Sequence, residues 1–269
     1  TERKVHTSPM PLLGGVALFL SLILCLGSHL PPSRALLGIF LGGFLVILVG
    51  VLDDKLKLSP LFKLIGQILV AFVTLYFGIQ IQFLSNPIEE GFIYLGFFSN
   101  VITVFWLVGM MNIFNLIDGL DGLSAGVAAI SASFLAIFAL MTGQFMAASI
   151  AIALCGVCLG FLRYNFHPAS IFMGDSGALF LGYMLGVISI IGVLKSTVIV
   201  SLGVPLIVFG LPVSDTILAI VRRIRNKKSI HLPDREHIHH KLLDKGFSHR
   251  QSTLVLYLLS IIFGFLAFM

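Results

Sequence analysis

Long apolar runs dominate the pattern of hydrophobic and polar positions along the chain. A membrane-spanning helix needs about 20 mostly apolar residues, and runs close to that length recur between polar, glycine or proline breaks. They predict nine transmembrane helices, at residues 11–29, 35–52, 62–80, 100–117, 122–141, 145–162, 177–194, 197–221 and 253–269. A transmembrane β-barrel would instead show alternating segments of about ten residues. We therefore predict an all-α, polytopic membrane helical bundle.

Two polar stretches interrupt this pattern. Residues 81–99 contain Asn-Pro and Glu-Glu-Gly, which predict an external loop or a short hairpin. Residues 222–252 form a basic, histidine-containing loop with nine lysines and arginines against three acids. We predict a single membrane domain over 1–269. Because it opens on a charged segment and ends inside an apolar run, we expect it to be truncated at the N-terminus and the C-terminus.

Composition supports the membrane assignment and excludes several classes of function. Of the 269 residues, 58% are hydrophobic and 11% are charged, whereas soluble domains carry about 25% charged residues. A water-soluble enzyme, a disordered tail and a nucleic-acid-binding module are thereby excluded. With nine spans, all 17 lysines and arginines except Arg34 and Lys195 lie on one face, which predicts that this face is cytoplasmic.

The acidic residues collect on the same predicted face. All eight aspartates fall in its loops or at its span ends, and acids contribute little to membrane topology. Carboxylates near a membrane are costly and indicate a functional site. Asp53 and Asp54 end the second span, where a shared cation or proton would relieve their repulsion. A helix-end pair balanced by Lys55 and Lys57 is the structural alternative.

A second polar cluster has a regular spacing. The segment N-I-F-N-L-I-D-G-L-D-G-L places Asn112, Asn115, Asp118 and Asp121 three residues apart, near one face of a helix. A glycine-punctuated turn with capping side chains is the structural alternative. Four polar side chains at strict spacing within an apolar region favour a functional site.

Two further clusters complete the candidate chemistry. Asp175, in F-M-G-D-S-G, directly precedes a predicted span, where a helix cap is the structural alternative. His237, His239 and His240 lie in the basic loop. Metal binding is one interpretation of these histidines, but the basic surroundings favour an anionic partner, a phosphate or a lipid head group.

Carboxylate and amide oxygens suit Mg²⁺, which takes one or two carboxylates plus substrate phosphates. Together the clusters predict phosphoryl chemistry between a soluble donor and a lipid acceptor.

These motifs jointly resemble the polyprenyl-phosphate N-acetylhexosamine-1-phosphate transferase superfamily, glycosyltransferase family 4. The resemblance rests on H-T-S-P-M-P-L-L-G-G, the Asp-Asp pair, N-x-x-N-x-x-D-G-x-D-G, F-M-G-D-S-G and H-I-H-H, and it covers nearly the whole chain. It implies ten or eleven spans in complete members and an active site at the cytoplasmic face.

The resemblance also implies a reaction. N-acetylglucosamine-1-phosphate would pass from UDP-GlcNAc to undecaprenyl phosphate with release of UMP, the first membrane step of cell-envelope polysaccharide synthesis. R-E-H-I-H-H-K-L-L is similar to the UDP-GlcNAc branch of the superfamily. The phospho-N-acetylmuramoyl-pentapeptide branch is the alternative, and a nucleotide-sugar or anion transporter is the alternative from another class.

Roles for individual residues follow from the resemblance alone. The implied catalytic residues are Asp53, Asp54, Asp118 and Asp121. The implied substrate-binding residues are Asn112, His237, His239, His240, Lys63 and Lys4. The implied metal ligands are Asn115 and Asp175, with Mg²⁺ as the cofactor and Mn²⁺ as its substitute. The implied partners are UDP-GlcNAc, a polyprenyl phosphate lipid and the bilayer of the inner (cytoplasmic) membrane, with no nucleic acid; a homodimer is left open.

Overall fold

The computed structural model describes residues 13–85, 92–192, 203–225 and 237–269. The helices in these ranges are α1 (Gly14–His29), α2 (Arg34–Leu56), α3 (Pro60–Tyr76), α4 (Phe98–Ile117), α5 (Leu123–Met141), α6 (Phe145–Asn165), α7 (Gly174–Gly192), α8 (Gly203–Val208), α9 (Gly210–Arg225), α10 (Ile238–Asp244) and α11 (His249–Leu266). Two short strands, β1 (Phe83–Ser85) and β2 (Phe92–Tyr94), pair in antiparallel fashion. The segment predicted to be a loop or hairpin therefore contains an antiparallel strand pair.

Six of these helices are long and apolar enough to cross a membrane, namely α2, α4, α5, α6, α7 and α11. Helices α1 and α3 are also apolar, but they are only 16 and 17 residues long. The chain is a multi-pass helical membrane protein, as its apolar runs predict.

The apolar run at 197–221 does not form one continuous helix in the part of it that the structure describes. Helix α8 ends at Val208 and α9 begins at Gly210, while residues 193–202 lie outside the described ranges. Pro212 has no N–H to donate to the carbonyl of Val208, four residues earlier, and this missing hydrogen bond accounts for the break. In its described part, the segment predicted as one span therefore consists of two helices, α8 and α9.

Helix α7 lies at the centre of the bundle. Its residues 176–192 are all buried, and it packs against α1, α2, α4, α5 and α6. Helices α2 and α7 cross closely at Gly50, where an added Cβ would lie 2.2 Å from the Cα of Ser176. Because Asp53 and Asp54 follow Gly50 by about one helical turn, this crossing places the acidic pair beside the start of α7.

The tight connection between α2 and α3 positions the next polar side chain. Only residues 57–59 separate the two helices. Pro60 begins α3, a position where its missing N–H has no intrahelical partner to lose. The two helices therefore run back along each other, and Lys63 in the first turn of α3 returns to the level of Asp53.

Candidate active site

Side chains from four helices meet at Lys63. Its Nζ lies 2.7 Å from Asp53 Oδ2, 3.1 Å from Asn115 Oδ1 and 3.4 Å from Asp175 Oδ2. The Asn115 side-chain amide also donates a hydrogen bond to Asp175 Oδ1. Asp53, Lys63, Asn115 and Asp175 thus form one polar cluster, called the Lys63 cluster below, built from α2, α3, α4 and α7.

Asp54 faces the same region, but its carboxylate has a different set of partners. Its Oδ1 accepts the backbone N–H of Asp175 at 2.8 Å, and its Oδ2 accepts that of Ser176 at 3.2 Å. N–H groups in the first turn of a helix have no intrahelical acceptor, so Asp54 caps α7 from the neighbouring helix α2. Gly174 has φ +70°, and a Cβ there would lie 2.7 Å from Asp54 Oδ2. Glycine leaves room for the cap.

Asp118 directly follows α4 and has no such partner. No hydrogen bond or ion pair joins its carboxylate to another residue in the described ranges. Desolvation of the carboxyl group, and then the negative charges of Asp175, Asp54 and Asp121, raise the pKa of Asp118 to about 7. Titratable groups whose pKa is shifted by burial and by neighbouring like charges are common at functional sites.

The charges of this region fit a cation that arrives with a phosphate ligand. The carboxylates of Asp53 and Asp175 face one ammonium group, that of Lys63, and Asp118 is close enough to Asp175 for the charge of Asp175 to raise its pKa. Within the described part of the chain, no three His, Cys, Asp or Glu side chains lie close enough to hold a metal ion by themselves. Mg²⁺ needs only one or two protein carboxylates when substrate phosphates supply further oxygens. The donor set therefore fits Mg²⁺ held jointly by protein and substrate.

Asn112 lies one helical turn before Asn115 and pairs with Gln67 of α3. Its Nδ2 donates to Gln67 Oε1 at 2.7 Å and to the Val108 carbonyl at 2.8 Å, and Gln67 Nε2 returns a hydrogen bond at 3.4 Å. Gln67 is buried. The amide of Asn112 therefore fastens α3 to α4 and sets the spacing between Lys63 and Asn115, a role that its predicted substrate contact did not include.

Asp121 anchors the segment that leads into α7. Its Oδ2 lies 2.8 Å from His167 Nδ1 and accepts the backbone N–H of Ala169 at 3.2 Å. His167 was not predicted as a site residue, because a single histidine in a polar segment has no informative spacing. Both oxygen contacts of Asp121 thus fix a loop, whereas the carboxylate of Asp118 has no such role.

The histidine loop reaches the same turn from another direction. His237 directly precedes α10, and His239 and His240 lie in its first turn. The His239 ring covers Gly119, where an added Cβ would lie 2.3 Å from Nε2. Burial of His239 lowers its pKa to about 4. The loop therefore places an imidazole that is neutral at pH 7 against Gly119, the residue that follows Asp118.

The loop is attached to the bundle through Asp215 of α9. Asp215 Oδ2 lies 2.8 Å from His237 Nδ1, and Oδ1 accepts the backbone N–H of Ile238 at 3.0 Å. Both side chains of the Asp215–His237 pair are 6% exposed. Sequence reasoning gave Asp215 no role, because it is a lone acid in an apolar run and nothing local identifies its partner.

The structure brings most of the predicted residues into one region. Those at or beside the Lys63 cluster are Asp53, Asp54, Lys63, Asn115, Asp118 and Asp175. Asp121 belongs to the adjoining turn, the His239 ring covers Gly119 of that turn, and the rings of His237 and His240 lie against His239. Asn112 lies one helical turn from Asn115. Lys4 lies outside the described residues. The assignment of these residues to catalysis, substrate binding and metal binding stays a prediction.

Known proteins resemble the chain over almost its whole length. It is 43% identical to the probable undecaprenyl-phosphate N-acetylglucosaminyl 1-phosphate transferase of Bacillus subtilis, over 98% of this chain and 74% of the relative. It is 36% identical to the decaprenyl-phosphate N-acetylglucosaminephosphotransferase of Mycolicibacterium smegmatis, over 96% of this chain and 71% of the relative. It is 31% identical to the phospho-N-acetylmuramoyl-pentapeptide-transferase of a Geobacillus species, over 98% of this chain and 84% of the relative.

A family model matches the part of the chain that contains the Lys63 cluster. The match covers residues 36–193, more than half of the chain, and the family is described as glycosyl transferase family 4. With this match and these relatives, the chain belongs to glycosyl transferase family 4.

Proposed function

We propose that this protein transfers N-acetylglucosamine-1-phosphate from UDP-GlcNAc to a polyprenyl phosphate, undecaprenyl phosphate, and releases UMP. The observation that carries the proposal is the convergence of the Lys63 cluster with Asp118 at helix ends. The names of the Bacillus and Mycolicibacterium relatives support the donor sugar and the lipid acceptor. The reaction would be the first membrane step of cell-envelope polysaccharide synthesis.

The proposed reaction is a single exchange at phosphorus. An oxygen of the lipid phosphate attacks the β-phosphorus of UDP-GlcNAc and forms a new P–O bond. The bond from that phosphorus to the bridging oxygen breaks, and its electron pair leaves with UMP. In such transfers the protein mainly positions the groups and neutralises charge, and the Lys63 cluster can supply both.

Lys63 and Asp53 would receive the lipid phosphate. The Lys63 ammonium is a phosphate-binding group, held in place by its contacts with Asp53 and Asn115. Asp53 is not tied to backbone N–H groups as Asp54 is, so it is the better candidate to accept a proton from a singly ionised lipid phosphate. A phosphate monoester has a second pKa of about 6, so most of the lipid is already ionised at pH 7. A two-step route through an aspartyl intermediate is the alternative to direct attack.

Asp175 and Asn115 would hold Mg²⁺, for which Mn²⁺ could substitute. When bound, the ion would offset the negative charge of the donor diphosphate. The Asp175 side chain is 39% exposed, so it is accessible to an incoming donor. The neutral His239 ring beside Asp118, with His237 and His240 of the same loop, would contact the diphosphate or the sugar.

We further propose nine membrane crossings, the eighth made by the broken pair α8–α9, with the active site facing the cytoplasm. The support is the distribution of lysine and arginine, which collect on the face that carries the Lys63 cluster. This orientation in the inner (cytoplasmic) membrane leaves the polyprenyl tail in the bilayer, because burial of so long an apolar chain is strongly favourable. A homodimer is compatible with this arrangement.

One assay tests the proposal. Purified protein is incubated with radiolabelled UDP-GlcNAc, undecaprenyl phosphate and Mg²⁺, and both organic-soluble label and free UMP are measured. We expect equal amounts of the two products, and their absence would overturn the proposal. UDP-MurNAc-pentapeptide is tested in parallel, because the Geobacillus relative favours it as a second candidate donor. Uptake of intact UDP-GlcNAc into proteoliposomes without UMP release would identify a transporter instead.

A further inference from the structure

The histidine loop depends on a contact from outside itself for its position. Its helix α10 is only seven residues long, and its N-cap, His237, makes no side-chain capping hydrogen bond. Helices of this length are marginal by themselves. The first N–H of α10, that of Ile238, is instead accepted by Asp215 from α9, at 3.0 Å. A residue of the bundle thus supplies the cap that the loop lacks.

The second oxygen of Asp215 fixes the first histidine. Asp215 Oδ2 lies 2.8 Å from His237 Nδ1, and both side chains are almost fully buried. Removing one partner of a buried polar pair leaves the other unsatisfied. The orientation of the His237 ring therefore depends on Asp215.

The fixed ring in turn faces His239. The rings of His237 and His239 are stacked nearly parallel, with centroids 5.6 Å apart and planes 5° apart. The His239 ring then covers Gly119, the residue after Asp118. An unbroken series of contacts leads from Asp215 to the turn beside the Lys63 cluster.

Helix α9 also packs against α4, the helix that carries Asn115 and ends at Ile117, directly before Asp118. The same element that holds the loop therefore touches the element that carries part of the site. A displacement of the loop relative to α9 would move His239 relative to Asp118.

We propose that Asp215 is a positioning residue that holds His239 over the Asp118–Gly119 turn through His237 and the first turn of α10. The assignment rests on the proposed function, since it gives Asp215 a role in donor binding. Asp215 does not touch substrate in this arrangement. Its effect passes through His239, and this dependence separates a positioning role from a general contribution to folding.

The experiment is a double-mutant cycle on the purified protein. The variants are Asp215→Ala, His239→Ala and the combination of the two, and KM and kcat are measured for UDP-GlcNAc and for undecaprenyl phosphate. Misplacement of a binding group by about 1 Å can cost on the order of a hundredfold in rate. We expect Asp215→Ala to lower kcat/KM for UDP-GlcNAc by that order and to leave KM for the lipid unchanged. In the His239→Ala background, Asp215→Ala should cause almost no further loss of kcat/KM for UDP-GlcNAc.

Asp244→Asn is the matched control, since Asp244 is an exposed acid at the end of the same short helix and should behave as wild type. Equal losses from Asp215→Ala in both backgrounds, or equal changes in both KM values, would overturn the positioning role. If Asp215→Ala does not fold, Asp215→Asn replaces it in the cycle, because the asparagine amide oxygen can still accept the N–H of Ile238. The loss of kcat/KM for UDP-GlcNAc that Asp215→Asn causes must then also disappear in the His239→Ala background. A wild-type protein without transferase activity would refute the proposed function itself, which distinguishes the two failures.

Discussion

The carboxylate of Asp54 accepts the backbone N–H of Asp175 at 2.8 Å and so joins the end of α2 to the start of α7. Its neighbour Asp53 instead lies 2.7 Å from Lys63 Nζ. Two adjacent acids that look equivalent in the sequence therefore have different partners. One caps a helix, and the other is available to the site.

The first prediction follows from this division. Asp54→Ala should lower the free energy of unfolding by about 1 kcal/mol, the usual cost of losing a helix cap, and should lower activity by disturbing Asp175. Asp53→Asn should leave stability nearly unchanged, because Lys63 keeps Asn115 and Asp175 as partners, but should abolish most activity. Thermal unfolding in detergent and the transfer assay measure the two effects. Equal destabilisation by both substitutions would contradict the division.

The second prediction concerns the metal. Removal of divalent cations with EDTA should abolish transfer, and Mg²⁺ or Mn²⁺ should restore it. Asp175→Asn should also reduce turnover by at least about a hundredfold, because an amide is a neutral and weaker ligand for a hard cation. Asp244→Asn serves as the control, because it removes the same single negative charge at an exposed position. Full activity in excess EDTA would refute the metal site.

The third prediction tests the space around the Asp54 cap. Gly174→Ala introduces a Cβ 2.7 Å from Asp54 Oδ2 at a residue with φ +70°. Gly143 has nearly the same φ, +72°, with nothing within 4 Å of its added Cβ. Gly143→Ala should therefore lower the free energy of unfolding only by the strain of a positive φ at a non-glycine residue, about 1–2 kcal/mol. Gly174→Ala should lower the free energy of unfolding by more and should also lower activity. Equal stability of the two variants, measured by thermal unfolding, would show that the cap is not crowded.

The fourth prediction concerns pH. The pKa of His239 falls from its ordinary value of 6.5 to about 4 because the ring is buried. Between these values the unfolded chain binds a proton that the folded protein does not, so stability falls as pH falls from 6.5 to about 4. Above pH 6.5 this group has no effect on the pH dependence.

The measurement is Tm against pH from neutral down through this window, for wild type and His239→Gln. The wild-type Tm should fall more steeply on acidification, because glutamine does not titrate. Parallel curves would show that His239 is not protected from protonation.

Much of the fold could be predicted from local sequence. Within a bilayer each backbone N–H and C=O must be satisfied internally, so a long apolar run becomes a helix wherever it lies. The runs at 35–52 and 100–117 accordingly form α2 and α4. The break at Val208 was missed, because hydrophobicity does not register the N–H that Pro212 lacks.

The spacing of polar residues predicted Asn112, Asn115, Asp118 and Asp121 near one face of a helix, and this was right for the two asparagines of α4. It was wrong for the two aspartates, because α4 ends at Ile117, Asp118 is its non-helical C-cap and Asp121 lies in the turn that follows. Only the tertiary structure decided what each acid does. Asp54 and Asp215 are occupied by N–H groups of distant segments, and no local pattern encodes those partners. A carboxylate that caps another helix and one left free for chemistry have the same letter in the sequence, and packing alone determines which N–H groups come within hydrogen-bonding distance.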